Sequence, residues 1–263
     1  PSRGAVDGPL LGNGDLGAMI SGTPEAQRFW ISKNNFWRLK DGHRQGGPRL
    51  FGSLGINIPA LAGAQYLIEQ QLFPAITTSR FTKGESTVTM CSWVAATDDF
   101  LLVELAVEGR PVEVRTRLWA AAGRGSKEEL GRKGAVLWAT KAFAEDVKIP
   151  TTAACAMTVI GGDNVLIPEM EAAEAVANPP PGKKQPRRDK SQPGPKFTLQ
   201  PGQTATVALA MQSSFDAKEP LAAAQEKATR ITDAETECNG LLTHDRAVIR
   251  VDVDKVASAK RGQ

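Results

Sequence analysis

The sequence predicts a mainly β fold: a large antiparallel β-sandwich, of supersandwich size, with one late helix. Three observations carry that expectation. Glycine (25) and proline (17) are both abundant among the 263 residues, which implies many turns and therefore many short strands. Period-two alternation of apolar and polar residues recurs along the chain. Only one stretch has the three- and four-residue apolar spacing of a helix.

Taken in order, the first expected strand is Leu16–Ile20, entered from a tight Asn13-Gly14 turn that needs a positive φ. Leu50–Ile58 and Gln65–Leu72 follow as strands. Thr87–Val94 is rich in β-formers, with Val88 and Met90 on one side and Trp93 on the other. Phe100–Val107 is almost wholly apolar and suits a strand covered on both faces. In Val112–Leu118, Val112, Val114, Thr116 and Leu118 alternate with Glu113, Arg115 and Arg117, giving one buried and one wet face. Ala135–Thr140, Ala154–Ile160, Phe197–Leu199 and Thr204–Gln212 complete the set, the last introduced by the turn Gln200-Pro201-Gly202-Gln203. Lys218–Ile231 is the helix: Leu221, Ala224, Ala228 and Ile231 share a face, Asp216 is a capping candidate and Pro220 sits in the first turn.

Composition removes several classes of function. The formal net charge is +3, but residues 178–196 alone hold Lys183, Lys184, Arg187, Arg188, Lys190 and Lys196 against Asp189. Cations confined to a proline-rich segment, with no aromatic residue between them, do not make a nucleic-acid footprint. That segment also holds six prolines, which forbid a helix and disfavour a central strand, so it is expected to be a flexible insertion. The longest uncharged run, Leu50–Ile68, is broken by glycine and proline and reads as strand, turn, strand, so no membrane partner is expected. Three cysteines without a C-x-x-C pair close no disulfide framework, and two histidines make no metal cluster. No metal and no cofactor is expected. The chain opens at Pro1 without a methionine, as expected of a fragment or a processed product. Of the aromatic residues only Phe197 and Phe215 lie beyond Phe143, so the heavier core and any sugar-facing platform belong to the first half.

Gly12-Asn13-Gly14-Asp15-Leu16-Gly17 matches G-x-G-x-x-G formally. A dinucleotide fingerprint needs a strand before it and a helix after it. Here Asp7-Gly8-Pro9 is a turn and Ser21-Gly22-Thr23-Pro24 breaks any helix, so the motif reads as structural. Asp15, Asp41, Asp98 and Asp99 lie in turn contexts where solvation or turn capping is the default role. Neither His43 nor His244 stands by a nucleophile elbow. No residue is therefore nominated as catalytic. Sugar binding needs an aromatic face with fixed polar partners. Trp37 with Asn34, Asn35, Arg38, Asp41 and His43 is the densest such group. It is expected as a 34–43 loop facing a cleft completed by another domain. The competing reading is that Trp30 and Trp37 simply pack the sandwich.

The block Pro9-Leu10-Leu11-Gly12-Asn13-Gly14-Asp15-Leu16-Gly17-Ala18-Met19 resembles the opening of family-95-type glycoside hydrolases, the α-L-fucosidases and their relatives. Those begin with a P-L/I-G-N-G-x-L-G-A-M signature, then a strand, then N-E-x-T-x-W. Ile31-Ser32-Lys33-Asn34-Asn35-Phe36-Trp37 stands in the second place, keeping Asn34 and Trp37 but departing at the acidic position, here Asn35. Tyr66-Leu67-Ile68-Glu69-Gln70-Gln71-Leu72 resembles a further family strand more weakly. The resemblance implies a glycosidase built from an N-terminal supersandwich, a helical linker and an (α/α)6 barrel holding the acid and base. On that reading residues 1–240 are the sandwich and 241–263 a tail or the start of a linker. The catalytic domain is then missing from this chain. The tail departs from the family, since Arg246–Gln263 is β-like and then basic where a tryptophan-rich helix is expected. The implied partners are a fucosylated or galactosylated glycan and the barrel, and the implied location is secreted or periplasmic. The alternatives are a stand-alone carbohydrate-binding module and a non-catalytic structural sandwich.

Overall fold

The computed structural model describes residues 8–40, 46–166 and 190–233. The strands in chain order are β1 (Leu10–Gly12), β2 (Leu16–Thr23), β3 (Ala26–Arg38), β4 (Gly47–Asn57), β5 (Gln65–Gln71), β6 (Ile76–Lys83), β7 (Ser86–Val94) and β8 (Phe100–Glu108). They continue as β9 (Val112–Ala120), β10 (Lys127–Lys133), β11 (Val136–Phe143), β12 (Thr151–Gly161), β13 (Asp163–Leu166), β14 (Lys190–Leu199) and β15 (Thr204–Ser213), and then α1 (Pro220–Asp233). A seven-stranded sheet has the order β1-β2-β3-β4-β9-β14-β13, and an eight-stranded sheet the order β10-β11-β12-β15-β8-β7-β6-β5. The fold is mainly β, two large antiparallel sheets and one helix, as the alternation predicts.

The sheets face each other across one core. Leu16, Ile20, Phe29, Ile31, Leu54, Ile56, Val114 and Leu118 come from the first, and Phe81, Met90, Leu101, Val103, Leu105, Met157 and Leu209 from the second. Each fully buried Leu, Ile or Phe adds about 1.5–3 kcal/mol. At one end of the sandwich Phe36 of β3 stacks on Phe143 of β11 with centroids 5.6 Å apart. The outer face of the eight-stranded sheet is small at its middle, where Ala154 and Ala156 let Ala224 and Ala228 of α1 approach. Beside them Trp93, Phe100 and Leu102 take Ile231, so β8 is covered on both faces as its sequence suggests.

Three expectations need correction. Residues 34–38 are the end of the long strand β3, not a loop. A register shift between Ser32 and Trp37 reverses which side chains point inward, from Phe29, Ile31 and Lys33 to Phe36 and Arg38. Second, residues 190–196, assigned above to the flexible insertion, are strand. Their prolines are accommodated because the pairing with β9 shifts between Pro193 and Lys196. In addition, the outer neighbour β13 pairs no earlier than Lys196, so among the described residues Pro193 and Pro195 have no strand on their outer side. Third, Asp216 does not serve the first turn of α1: its carboxylate accepts from the Ser213 N–H at 2.7 Å and pairs elsewhere.

Candidate functional site

Strand period two places Lys33 in phase with Phe29 and Ile31, on the core side of β3. An ammonium there must be paired. Its side chain is fully buried and its Nζ reaches Asp15 at 2.5 Å, Asp99 at 2.9 Å and Asp216 at 3.3 Å. These carboxylates come from the β1–β2 turn, the β7–β8 loop and the turn between β15 and α1. One lysine thus clasps three connections at one end of the sandwich. Gln212 donates to Asp99 at 3.3 Å, and Asn35 donates through Nδ2 to Asp216 at 2.7 Å.

The Gly12–Gly17 motif builds one jaw of this clasp. Gly14 takes a φ of 95° in the turn. Asn13 Oδ1 accepts from the backbone N–H of Asp15 and of Leu16, at 2.9 and 2.8 Å. Its Nδ2 donates across to the Ala95 carbonyl at 3.0 Å. Gly12 and Gly17 are opposite partners in the β1–β2 ladder. Asp15 then faces Lys33, while its own carbonyl accepts from Asn34 N–H at 2.7 Å. Asp15 and Asp99 are turn residues that pair with Lys33, Asp15 while still partly exposed, and Asp98 pairs with Lys227 of α1 at 3.1 Å.

Burial by itself would lower the pKa of Lys33, but hydrogen bonds to Asp15 and Asp99, together with the charges of Asp216 and Asp99, more than reverse this and raise it. Burial likewise pushes Asp216 upward. The Ser213 N–H, Asn35 and Lys33 overcome that, and its carboxyl ends below the usual range. A general acid needs the opposite shift. The cluster is an ionic clasp, and its geometry holds Asp216 and Asn35 in place.

What they are held beside is open. Asn35, Trp37, Leu39 and Phe215 line a shallow depression of about 240 Å³. Trp37 is 39% exposed and Phe215 57%. The Trp37 indole N–H donates back to the Asn34 carbonyl at 2.5 Å, and its own carbonyl accepts from Thr151 Oγ1 at 2.6 Å. The ring is therefore held in one orientation at the surface rather than packed in the core. Asn35 Oδ1 is buried behind the wall and has no hydrogen-bond partner among the described residues. Trp30 is different: half-buried, it sits edge-on to Trp119 at 5.6 Å.

Of the residues nominated from sequence, Asn34, Asn35 and Trp37 meet at this corner, adjoining the motif jaw. Asp41 and His43 lie outside the described residues. Arg38 points inward, 3% exposed. Lys33, Asp99, Asp216 and Phe215 were not nominated. For Lys33 a signal existed, a cation at a core-phase position of a strand, whereas Asp216 and Phe215 arrive from far along the chain. Burial pushes the Cys155 thiol pKa up, which leaves it an inert core residue. Among the described residues no group of His, Cys, Asp and Glu is arranged to hold a metal ion, and no helix is long and apolar enough to cross a membrane.

No protein-family model and no curated protein matches the chain. Among solved structures the chain is similar to a bacterial glucoamylase complexed with acarbose, at 10% identity and a TM-score of 0.43. The match covers 94% of this chain and 38% of that one, so the chain spans little more than a third of that protein's length.

Proposed function

We propose that this chain is the β-sandwich domain of a carbohydrate-active glycoside hydrolase of the family-95 type. It braces an (α/α)6 catalytic barrel and presents the Trp37 corner to a fucosylated or galactosylated glycan. Residues 1–240 form the sandwich in this reading and 241–263 lead toward the barrel. The observation that carries it is the exposed Trp37–Phe215 depression with Asn35 at its wall, which joins an aromatic surface to a fixed amide as sugar binding requires. The motif resemblance at Pro9–Met19 supports the family, and those residues build the clasp that positions Asn35. In this reading the clasp carboxylates, paired with a buried ammonium, play a structural part, and the acid and base of hydrolysis are assigned to the barrel.

Titration of the chain with fucosylated and galactosylated oligosaccharides, followed by tryptophan fluorescence, tests the corner. The expected result is saturable binding that Trp37→Ala abolishes while the fold persists. In the protein that carries the barrel, the same change raises KM and leaves kcat nearly unaltered. Binding that survives Trp37→Ala, or none at all, overturns the sugar role. Tight binding with no barrel encoded would instead make the domain a stand-alone binding module.

A further inference from the structure

Two open sheets leave four edge strands, and three of them are blunted. Strand β1 has three residues and β13 four, too short to recruit another chain. Strand β10 is longer, but Lys127, Glu128, Glu129, Arg132 and Lys133 make it mostly charged. Strand β5 has neither defence. Gln65–Gln71 runs for seven residues with no proline, glycine or lysine and a single charge, Glu69. Among the described residues no strand lies on its outer side.

Its surroundings are apolar and ordered. Pairing with β6 puts Tyr66, Ile68 and Gln70 in phase with the buried Phe81, Ser79 and Thr77. Leu67 and Glu69 stand on the other face, beside Arg80 and Thr78. Tyr66 and Leu67 are exposed, and just past the strand Leu72 and Phe73 are 82% and 60% exposed. Just before the strand, residues 59–64 (Pro-Ala-Leu-Ala-Gly-Ala) carry no charge. Lys83 Nζ steadies them by donating to the Ala62 carbonyl at 2.7 Å. Gly63, at a φ of 74°, has nothing within 4 Å of where a side chain would begin.

We propose that this edge joins a second copy of the chain, β5 against β5, antiparallel across a two-fold axis at Ile68. That register uses the whole strand: Tyr66 faces Gln70 of the second copy, Leu67 faces its Glu69, and Ile68 faces Ile68. It adds about six to eight inter-strand hydrogen bonds. Like charges do not meet, because Glu69 lies opposite Leu67 and in one row with Arg80 of the other copy. Continuing the register brings Leu72 beside Ala64 of the second copy and Phe73 beside its Gly63, where the open space admits the ring. The exposed apolar groups at one end of each strand thus meet the uncharged 59–64 segment of the other. Isologous pairing uses up the edge in both copies, so assembly stops at two. In the sheet order β5 stands four strands from β15, so the Trp37 corner stays open and the proposal is independent of what binds there.

Sedimentation velocity of the full chain over a concentration series tests this. A monomer–dimer equilibrium without larger species is expected. Leu67→Glu sets two like-charged pairs across the axis and is expected to weaken the dimer about tenfold or more. Adding Glu69→Lys turns both into opposite-charge pairs and is expected to recover most of that loss, which a different register would not do. Phe73→Ser is expected to weaken the dimer less than Leu67→Glu. All three positions are exposed, and circular dichroism checks that the sheets persist. A chain that stays monomeric at every concentration overturns the proposal, and slow hydrogen exchange along β5 in that monomer would give the edge to another segment of the same chain. A dimer that Leu67→Glu leaves intact, or that Glu69→Lys fails to restore, overturns it as well.

Discussion

The Lys33 clasp and the Trp37 depression meet at Asn35, which lines the depression and donates to Asp216 of the clasp, yet they are opposites. In the clasp, one fully buried ammonium is held by three carboxylates that reach it from the rim. In the depression, large rings stay at the surface and an amide oxygen is left without a partner. The closed half gives positional order, and the open half uses it. A corner made of two distant segments, 35–39 and Phe215, needs such a fastening because neither segment fixes the other alone.

Breaking the closed half should cost most. Lys33→Ala leaves three carboxylates facing one another, and a loss of about 3 kcal/mol is expected, or roughly 6–12 °C in Tm for a chain of this size. Thermal unfolding followed by circular dichroism measures it, and an unchanged Tm would remove the clasp from the account. Asn13→Ala removes a turn and a cross-link together and should cost about 1–2 kcal/mol, with the β7–β8 loop losing hydrogen-exchange protection.

The pH profile sharpens the same contrast. Asp216 is held below its ordinary 3.8, so its contribution is fully present above that value and is lost as pH falls toward the folded one. Lys33 is held above 10.5, so its contribution is fully present below that value and is lost as pH rises past the folded one. Tm should therefore be flat across neutral pH as far as these two groups are concerned, with an acid fall that Asp216→Asn makes shallower. An acid limb identical in both proteins would contradict this. Trp37→Ala comes last on this scale. A side chain exposed as this one is should change stability by less than about 0.5 kcal/mol, while glycan titration shows the loss of binding.

The sequence made the closed architecture more legible than the site. Strand β9 announces itself because Val112, Val114 and Leu118 alternate with charges, and β8 because it is buried on both faces. Strand β10 does not: Lys127-Glu128-Glu129-Leu130-Gly131-Arg132-Lys133 is an edge strand whose polarity hides the period. Nor does β6, whose Thr77 and Ser79 face the interior although both are polar. The 34–43 segment reads as a loop in the sequence because the bulge after Ser32 interrupts the alternation just where the strand continues to Arg38. Asn34, Asn35 and Trp37 were found by residue type. Asp216 and Phe215 could not be, because only the sheet order brings the turn after β15 against β3.

That sheet order also has a kinetic consequence. Asn35 and Asp216 are 181 residues apart in the chain, and Lys33 lies slightly farther still from the carboxylate it shares with Asn35. During synthesis at ordinary speed, roughly 10–40 s separate the two partners. For that interval Lys33 occupies a core-phase position with Asp15 and Asp99 as its available counter-charges. The end of the sandwich cannot close until the turn after β15 emerges, so assembly of this corner is gated by the last strand and not by the first.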